Sequence, residues 1–119
     1  MQVMIVESRA ELADLWKAHL QRLGASVTVA GRQDQAIDHI MARAFDVIVL
    51  DLVLEEGSAL AVADFANYRQ PSARVLFVTN TSFFSDGSIF KHCTNACGYV
   101  PSSTPPEDIA AMVEHHARA

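Results

Sequence analysis

The sequence predicts an α/β protein built on a doubly wound parallel sheet. Short apolar runs alternate with stretches of helical periodicity five times along the 119 residues, and no linker, repeat or low-complexity segment interrupts them. The third run, Val47 to Leu50, is apolar throughout, as a strand buried on both faces should be. Strands joined through helices lie parallel with right-handed crossovers, and an open sheet of that kind keeps its ligand crevice at the carboxyl ends of its strands.

Val3 to Val6 form the first strand. Leu12, Leu15, Trp16, His19, Leu20 and Leu23 recur at three- and four-residue steps, which predicts a first helix that Gly24 stops. Ser26 to Ala30 form the second strand, and Ala36, Ile37, Ile40 and Met41 mark the second helix. The third strand runs from Asp46 to Leu50. Ser58 is placed to cap a third helix carrying Leu60, Val62, Ala63, Phe65 and Ala66, and Arg74 to Thr79 form the fourth strand. Between Asn80 and Ala96 the chain is rich in Thr, Ser, Asn and Asp, with Phe83, Phe84, Ile89 and Phe90 as apolar anchors; a short, irregular fourth helix is expected there. Gly98-Tyr99-Val100 is a brief fifth strand, and Pro105-Pro106 opens a fifth helix with Ile109, Met112 and Val113 facing inward.

A hydrophobic share of 50% with 19% charged residues places the chain among globular proteins and excludes the disordered and collagen-like classes. The length fits a single domain over residues 1–119. A net charge of −5 without any run of Lys or Arg leaves no electrostatic footprint for nucleic acid. No apolar stretch approaches the ~20 residues that span a bilayer, and Met1-Gln2-Val3-Met4 enters a strand without a basic leader, so a cytoplasmic protein with no membrane partner is expected. Cys93 and Cys97 lie four apart beside His92, a spacing that on a helix would put both thiols on one face. A structural zinc needs four ligands and no second pair stands nearby, so free thiols are expected. His115-His116 falls near the end of the last helix, where imidazoles suit the negative end of the helix dipole.

The segment Asp51-Leu52-Val53-Leu54-Glu55-Glu56-Gly57-Ser58 follows the third strand with a carboxylate and then an acidic, glycine-containing loop. A strand-end aspartate can simply satisfy a turn or a cap. The residues at the other strand ends give it company: Glu7 and Ser8 after the first, Thr79 and Asn80 at the fourth, and Tyr99 through Ser102 at the fifth. Taken alone, Thr79 reads equally as a strand-end hydroxyl bonded to backbone, and Tyr99 as edge packing.

Together these residues resemble the receiver domain of two-component response regulators, the family of the chemotaxis regulator, over the whole chain. Asp51 to Leu60 resembles the family's phosphoacceptor loop, Val78-Thr79 the end of the fourth strand that bears the switch hydroxyl, and Gly98-Tyr99-Val100 the motif whose aromatic residue moves with it. The resemblance implies a flavodoxin-like sheet in the order 2-1-3-4-5 with five helices. It also implies a phosphoacceptor at Asp51, switch residues at Thr79 and Tyr99, and Mg²⁺ held by Glu7, Asp51 and the backbone carbonyl of Val53. The partners it implies are a histidine kinase or histidine phosphotransferase, and a downstream protein target or a second copy. These last would dock on the face of the fourth helix, fifth strand and fifth helix, where Phe83, Phe84 and Tyr99 stand.

The departures from the family pattern are specific. Its pair of acidic residues after the first strand is here Glu7-Ser8, its lysine three residues beyond the aromatic switch is Ser102, the small residue after the switch hydroxyl is Asn80, and the loop proline is Glu55. Transfer to a carboxylate depends on positioning and on neutralising the phosphoryl oxygens. Removing one preorganised charge-stabilising contact typically costs about 10²–10³ in rate. Weak Mg²⁺ binding and slow chemistry follow, with catalysis limited to self-phosphorylation from a phosphohistidine donor and slow autodephosphorylation. Two readings stand: a phosphorylatable receiver, and a pseudo-receiver that keeps the fold and binds partners without phosphorylation. A flavin or dinucleotide site is disfavoured because no G-x-G-x-x-G follows the first strand.

Overall fold

Every residue of the third strand, Val47–Asp51, is buried, and the rest of the domain is arranged around it. The computed structural model describes residues 1–79 and 94–118. Strands β1 (Gln2–Val6), β2 (Ser26–Ala30), β3 (Val47–Asp51), β4 (Arg74–Thr79) and β5 (Ala96–Pro101) alternate with helices α1 (Ala10–Arg22), α2 (Gln33–Ala42), α3 (Ala59–Arg69) and α4 (Pro106–Ala117). The sheet has the order β2-β1-β3-β4-β5, with all four pairings parallel, as expected. Four helices stand among the described residues, against the five expected. The short helix expected between Asn80 and Ala96 falls largely on residues 80–93, outside the described residues, as do Asn80, Phe83, Phe84, His92 and Cys93. Its last residues are not helical: Thr94 and Asn95 form a turn and Ala96 opens β5.

The pleat sorts the sheet's side chains into two cores. Met4, Val6, Ile48, Leu50, Val75 and Phe77 face α2 and α3, while Val3, Ile5, Val47, Val49, Leu76 and Val78 face α1 and α4. The helices bury narrower stripes than the hydrophobic periodicity predicts. In α1 the buried residues are Ala13, Trp16 and Leu20, whereas Leu15 is 45% exposed and Leu23 lies beyond the last helical residue. Met41 and Leu60, expected inside, are also exposed. Three- and four-residue steps fix one line of contact on a helix, and alanines at 13, 36, 59, 63 and 66 bring the helices close enough to the sheet that flanking leucines miss it.

Local chemistry sets the ends of the elements. Gly24, at φ +86°, closes α1 in a Schellman motif, with Gly24 N–H on the Gln21 carbonyl and Ala25 N–H on the Leu20 carbonyl. Ser58 caps α3, its Oγ accepting the Ala61 N–H at 3.3 Å. Pro105 and Pro106 start α4, which carries Glu107 and Asp108 in its first turn and His115 and His116 in its last, the arrangement its dipole favours.

An irregularity in β5 decides which way the end of that strand faces. Val75 pairs with Ala96 and Leu76 with Gly98, so Cys97 is an extra residue between consecutive rungs. As a result Ala96 and Tyr99 share the α2–α3 side, while Cys97 and Val100 pack on the other. Cys97 thus stands in a strand and not on a helix, with its thiol on the Val75 carbonyl at 3.4 Å; burial pushes that thiol up from its ordinary value.

Candidate functional site

The carboxyl ends of β1 and β3 open into a crevice of about 200 Å³ lined by Glu7, Ser8, Arg9, Asp51, Val53, Leu54 and Glu55. β1 and β3 are neighbours in the sheet, with Val6 opposite Leu50, so the residues that follow them meet there. Buried polar side chains are uncommon without a partner or a purpose. Glu7 and Asp51, 1% and 4% exposed, sit together at this rim.

Asp51 is held on two sides. Its Oδ1 accepts the Val53 N–H at 2.9 Å, and its Oδ2 accepts from Arg9 Nη2 at 3.2 Å. The Leu52 N–H bonds the Val78 carbonyl at 2.8 Å, which ties the start of the loop to β4. Glu7 Oε1 accepts from Arg9 Nε at 2.9 Å and has Nη2 of the same guanidinium at 2.9 Å as an ion pair, while Oε2 is buried and makes no hydrogen bond. Burial first, and then the adjacent Asp51, push the Glu7 carboxyl up to about 8. Arg9 acts in the opposite sense and does not prevail.

Ser8 is a tether here. Its Oγ donates to the Gly31 carbonyl at 2.9 Å and accepts the Glu55 N–H at 3.0 Å, joining the loops after β1, β2 and β3. The loop after β3 is further fixed by α2: Gln33 Oε1 accepts the Ser58 N–H at 2.7 Å and the Gln33 N–H bonds the Glu56 carbonyl at 3.2 Å. Gly57, at φ +95°, lies directly against the Gln33 side chain.

Thr79 ends β4, 5% exposed, with Pro101 as its register partner. The Ser102 N–H bonds the Thr79 carbonyl at 2.9 Å, which joins the end of β4 to the loop after β5. Tyr99, half-buried, stands opposite Phe77 in the register.

Ser102 stands where the family pattern has its lysine, and the sequence expectation names no other cation; the structure supplies one in Arg9. The signal was the run Glu7-Ser8-Arg9 in the loop that enters α1: a cation two residues from one acid, on a loop that must face the other.

Among the described residues no cluster of three or more His, Cys, Asp or Glu side chains could hold a metal. Glu7, Asp51 and Val53, the residues expected to offer Mg²⁺ their oxygens, all line this crevice, a sparse hard set of the kind that ion accepts when waters complete its shell. The unpartnered Glu7 Oε2 would face such an ion once the carboxyl has released its proton. The donors therefore suit the ion, at a place where Arg9 already stands. A larger pocket, about 410 Å³, opens among Pro71, Ser72, Ala73, Arg74, Thr94, Asn95 and Ala96, and its lining offers no carboxylate or imidazole.

Residues 3–114 match the family described as the response regulator receiver domain. The chain is 30% identical over 117 residues to the transcriptional regulatory protein RstA of Escherichia coli K12, a match covering 98% of this chain and 48% of RstA. The chain thus spans about half the length of that relative. Among solved structures it resembles a CheY-like response regulator receiver domain protein of Methanospirillum hungatei, at TM-score 0.89 and 17% identity over 98% of this chain and 93% of the other. It also resembles a response regulator protein of Burkholderia pseudomallei with a phosphorylated aspartic acid, calcium ion and citrate, at TM-score 0.83 and 24% identity over 98% and 68% of the two chains. No helix among the described residues is long and apolar enough to cross a membrane.

Proposed function

The chain belongs to the response regulator receiver family of two-component signalling, and from that premise we propose that Asp51 takes a phosphoryl group from a phosphohistidine on a histidine kinase or histidine phosphotransferase. One observation carries the reading. Asp51 is a buried carboxylate at the carboxyl end of the central strand, oriented by the Val53 N–H and facing a crevice that contains a cation.

In the transfer an Asp51 oxygen attacks phosphorus in line, the O–P bond forms as the N–P bond of the phosphohistidine breaks, and the bonding pair leaves on the imidazole nitrogen. An ionised carboxylate needs no general base, so the domain's task is alignment and neutralisation of charge. The Val53 N–H fixes Oδ1 and thereby the carboxylate plane. Arg9 lies at Oδ2, within reach of oxygens brought to that side. Glu7, Asp51 and the Val53 carbonyl would hold Mg²⁺, which would supply further positive charge to those oxygens. Such binding would be weak, because Ser8 and Ser102 contribute no charge and Arg9 contacts the same acids.

Thr79 and Tyr99 serve as the switch. The Ser102 N–H to Thr79 carbonyl bond links the end of β4 to the loop that leads from β5 into α4, giving a displacement at Thr79 a direct path to that face. A downstream protein or a second copy docks on the β5–α4 side; Phe83 and Phe84, also expected to meet a partner, lie outside the described residues. The acidic net charge, without a run of Lys or Arg, suits a protein partner better than the phosphate backbone of nucleic acid.

Incubation with acetyl phosphate or phosphoramidate and Mg²⁺, followed by intact-mass measurement, tests the proposal. One added phosphoryl group in the wild type and none in Asp51→Asn is the expected result. An unmodified wild type at high donor and metal, with partner binding unchanged in Asp51→Asn, would replace this reading with that of a pseudo-receiver.

A further inference from the structure

Arg9 is the N-cap residue of α1, and its carbonyl accepts the Ala13 N–H at 3.0 Å. Its backbone is therefore part of the helix start, and its side chain extends from a fixed root. That side chain is 46% exposed, whereas those of Glu7 and Asp51 are 0% and 5% exposed. The guanidinium thus lies over two buried acids at the mouth of the crevice. Nε and Nη2 reach Glu7 Oε1 at 2.9 Å and Nη2 reaches Asp51 Oδ2 at 3.2 Å, so one planar cation bridges both carboxylates.

These are the same two carboxylates that would ligate a divalent ion. The neighbouring position that could add a third oxygen, Ser8, has its hydroxyl committed to the Gly31 carbonyl and the Glu55 N–H. A second cation placed beside a guanidinium a few ångströms away meets repulsion in a partly desolvated crevice, where charges are poorly screened. Guanidinium is also less strongly hydrated than a metal ion, which favours it as the occupant of a site walled by apolar strands.

We propose that Arg9 is the resident cation of the Asp51 crevice, and that a divalent ion enters only by displacing its guanidinium from Glu7 and Asp51. The inference deepens the functional reading given above and rests on it for the identity of Asp51 as acceptor.

Titration of MgCl₂ into the wild type, Arg9→Gln and Arg9→Lys, followed by NMR, tests it. Arg9→Gln should bind Mg²⁺ at least about tenfold more tightly than the wild type, and Arg9→Lys should stay near the wild type because its charge is retained. In the wild type itself, which serves should Arg9→Gln not fold, saturation with Mg²⁺ should shift the Arg9 Nε–H signal and speed its exchange with solvent. Equal affinity in all three proteins, or Mg²⁺ saturation of the wild type with the Arg9 signal unmoved, overturns the proposal. Displacement of Arg9 in a protein that no donor phosphorylates removes the acceptor role from Asp51 and leaves the cation assignment standing.

Discussion

Arg9 Nη2 lies 3.2 Å from Asp51 Oδ2, a link between residues 42 apart in sequence that joins the loop after β1 to the end of β3. The same guanidinium holds Glu7, so one cation and two buried acids meet at one point of the crevice. Two acids beside one base cannot both ionise at little cost, and the balance falls on Glu7.

Glu7 should make the stability of the domain depend on pH. Burial and Asp51 raise the Glu7 carboxyl from 4.5 to about 8, so the folded state holds a proton that the unfolded chain has released. The contribution is fully present below pH 4.5 and is lost as pH rises through 8. Subtracting the denaturation profile of Glu7→Gln from that of the wild type should leave a difference that falls across this window. In Asp51→Asn the Glu7 carboxyl should titrate lower, as read by carboxyl ¹³C NMR, because the partner that favours its proton is gone. A flat difference profile would contradict the assignment.

Ser8→Asp should act in two directions. A second carboxylate beside Asp51 raises Mg²⁺ affinity by lowering the cost of bringing the ion there. The same change removes the hydroxyl that donates to the Gly31 carbonyl, at a cost of about 1 kcal/mol, the usual worth of one such bond. Metal titration and chemical denaturation of the metal-free protein measure the two separately; tighter metal binding without loss of apo stability would mean that the Ser8 tether contributes little.

Ser102→Lys should speed modification of Asp51 by a small-molecule phosphodonor by about tenfold or more, since a charge added to a partly desolvated crevice acts through a low effective dielectric. The Ser102 backbone is pinned to Thr79 by its N–H, so the substitution adds charge at a fixed root without moving the strand ends. Single-turnover mass spectrometry reads the rate. No acceleration would place the lysine side chain out of reach of the phosphoryl oxygens.

Two glycines share a left-handed backbone and differ in their surroundings, which gives a paired prediction. Gly24→Ala meets nothing within 4 Å and should cost about 1 kcal/mol, from the backbone alone. Gly57→Ala would drive its Cβ into the Gln33 side chain, whose Oε1 accepts the Ser58 N–H, and should cost about 2–3 kcal/mol through strain and the lost bond. Urea denaturation of the two variants should keep that order.

The sheet is legible in the chain alone. Strictly apolar runs at β1, β3 and β4 can be satisfied only by burial on both faces, and helices between them force parallel pairing. The caps at Gly24 and Ser58 are legible too, because those depend on one residue's own backbone or hydroxyl. Which helix residues meet the sheet was less legible: periodicity marks an apolar side, and only packing distance separates Trp16 and Leu20 from the exposed Leu15. The extra residue at Cys97, which puts Tyr99 on the α2–α3 side, is invisible to a period-two pattern because it is itself the break in that pattern. The charge balance of the crevice was decided by tertiary structure alone. Sequence order puts Arg9 next to Glu7 but 42 residues from Asp51. Only the pairing of β1 with β3 brings the guanidinium across both acids, and Coulomb energy depends on distances that the linear chain does not specify.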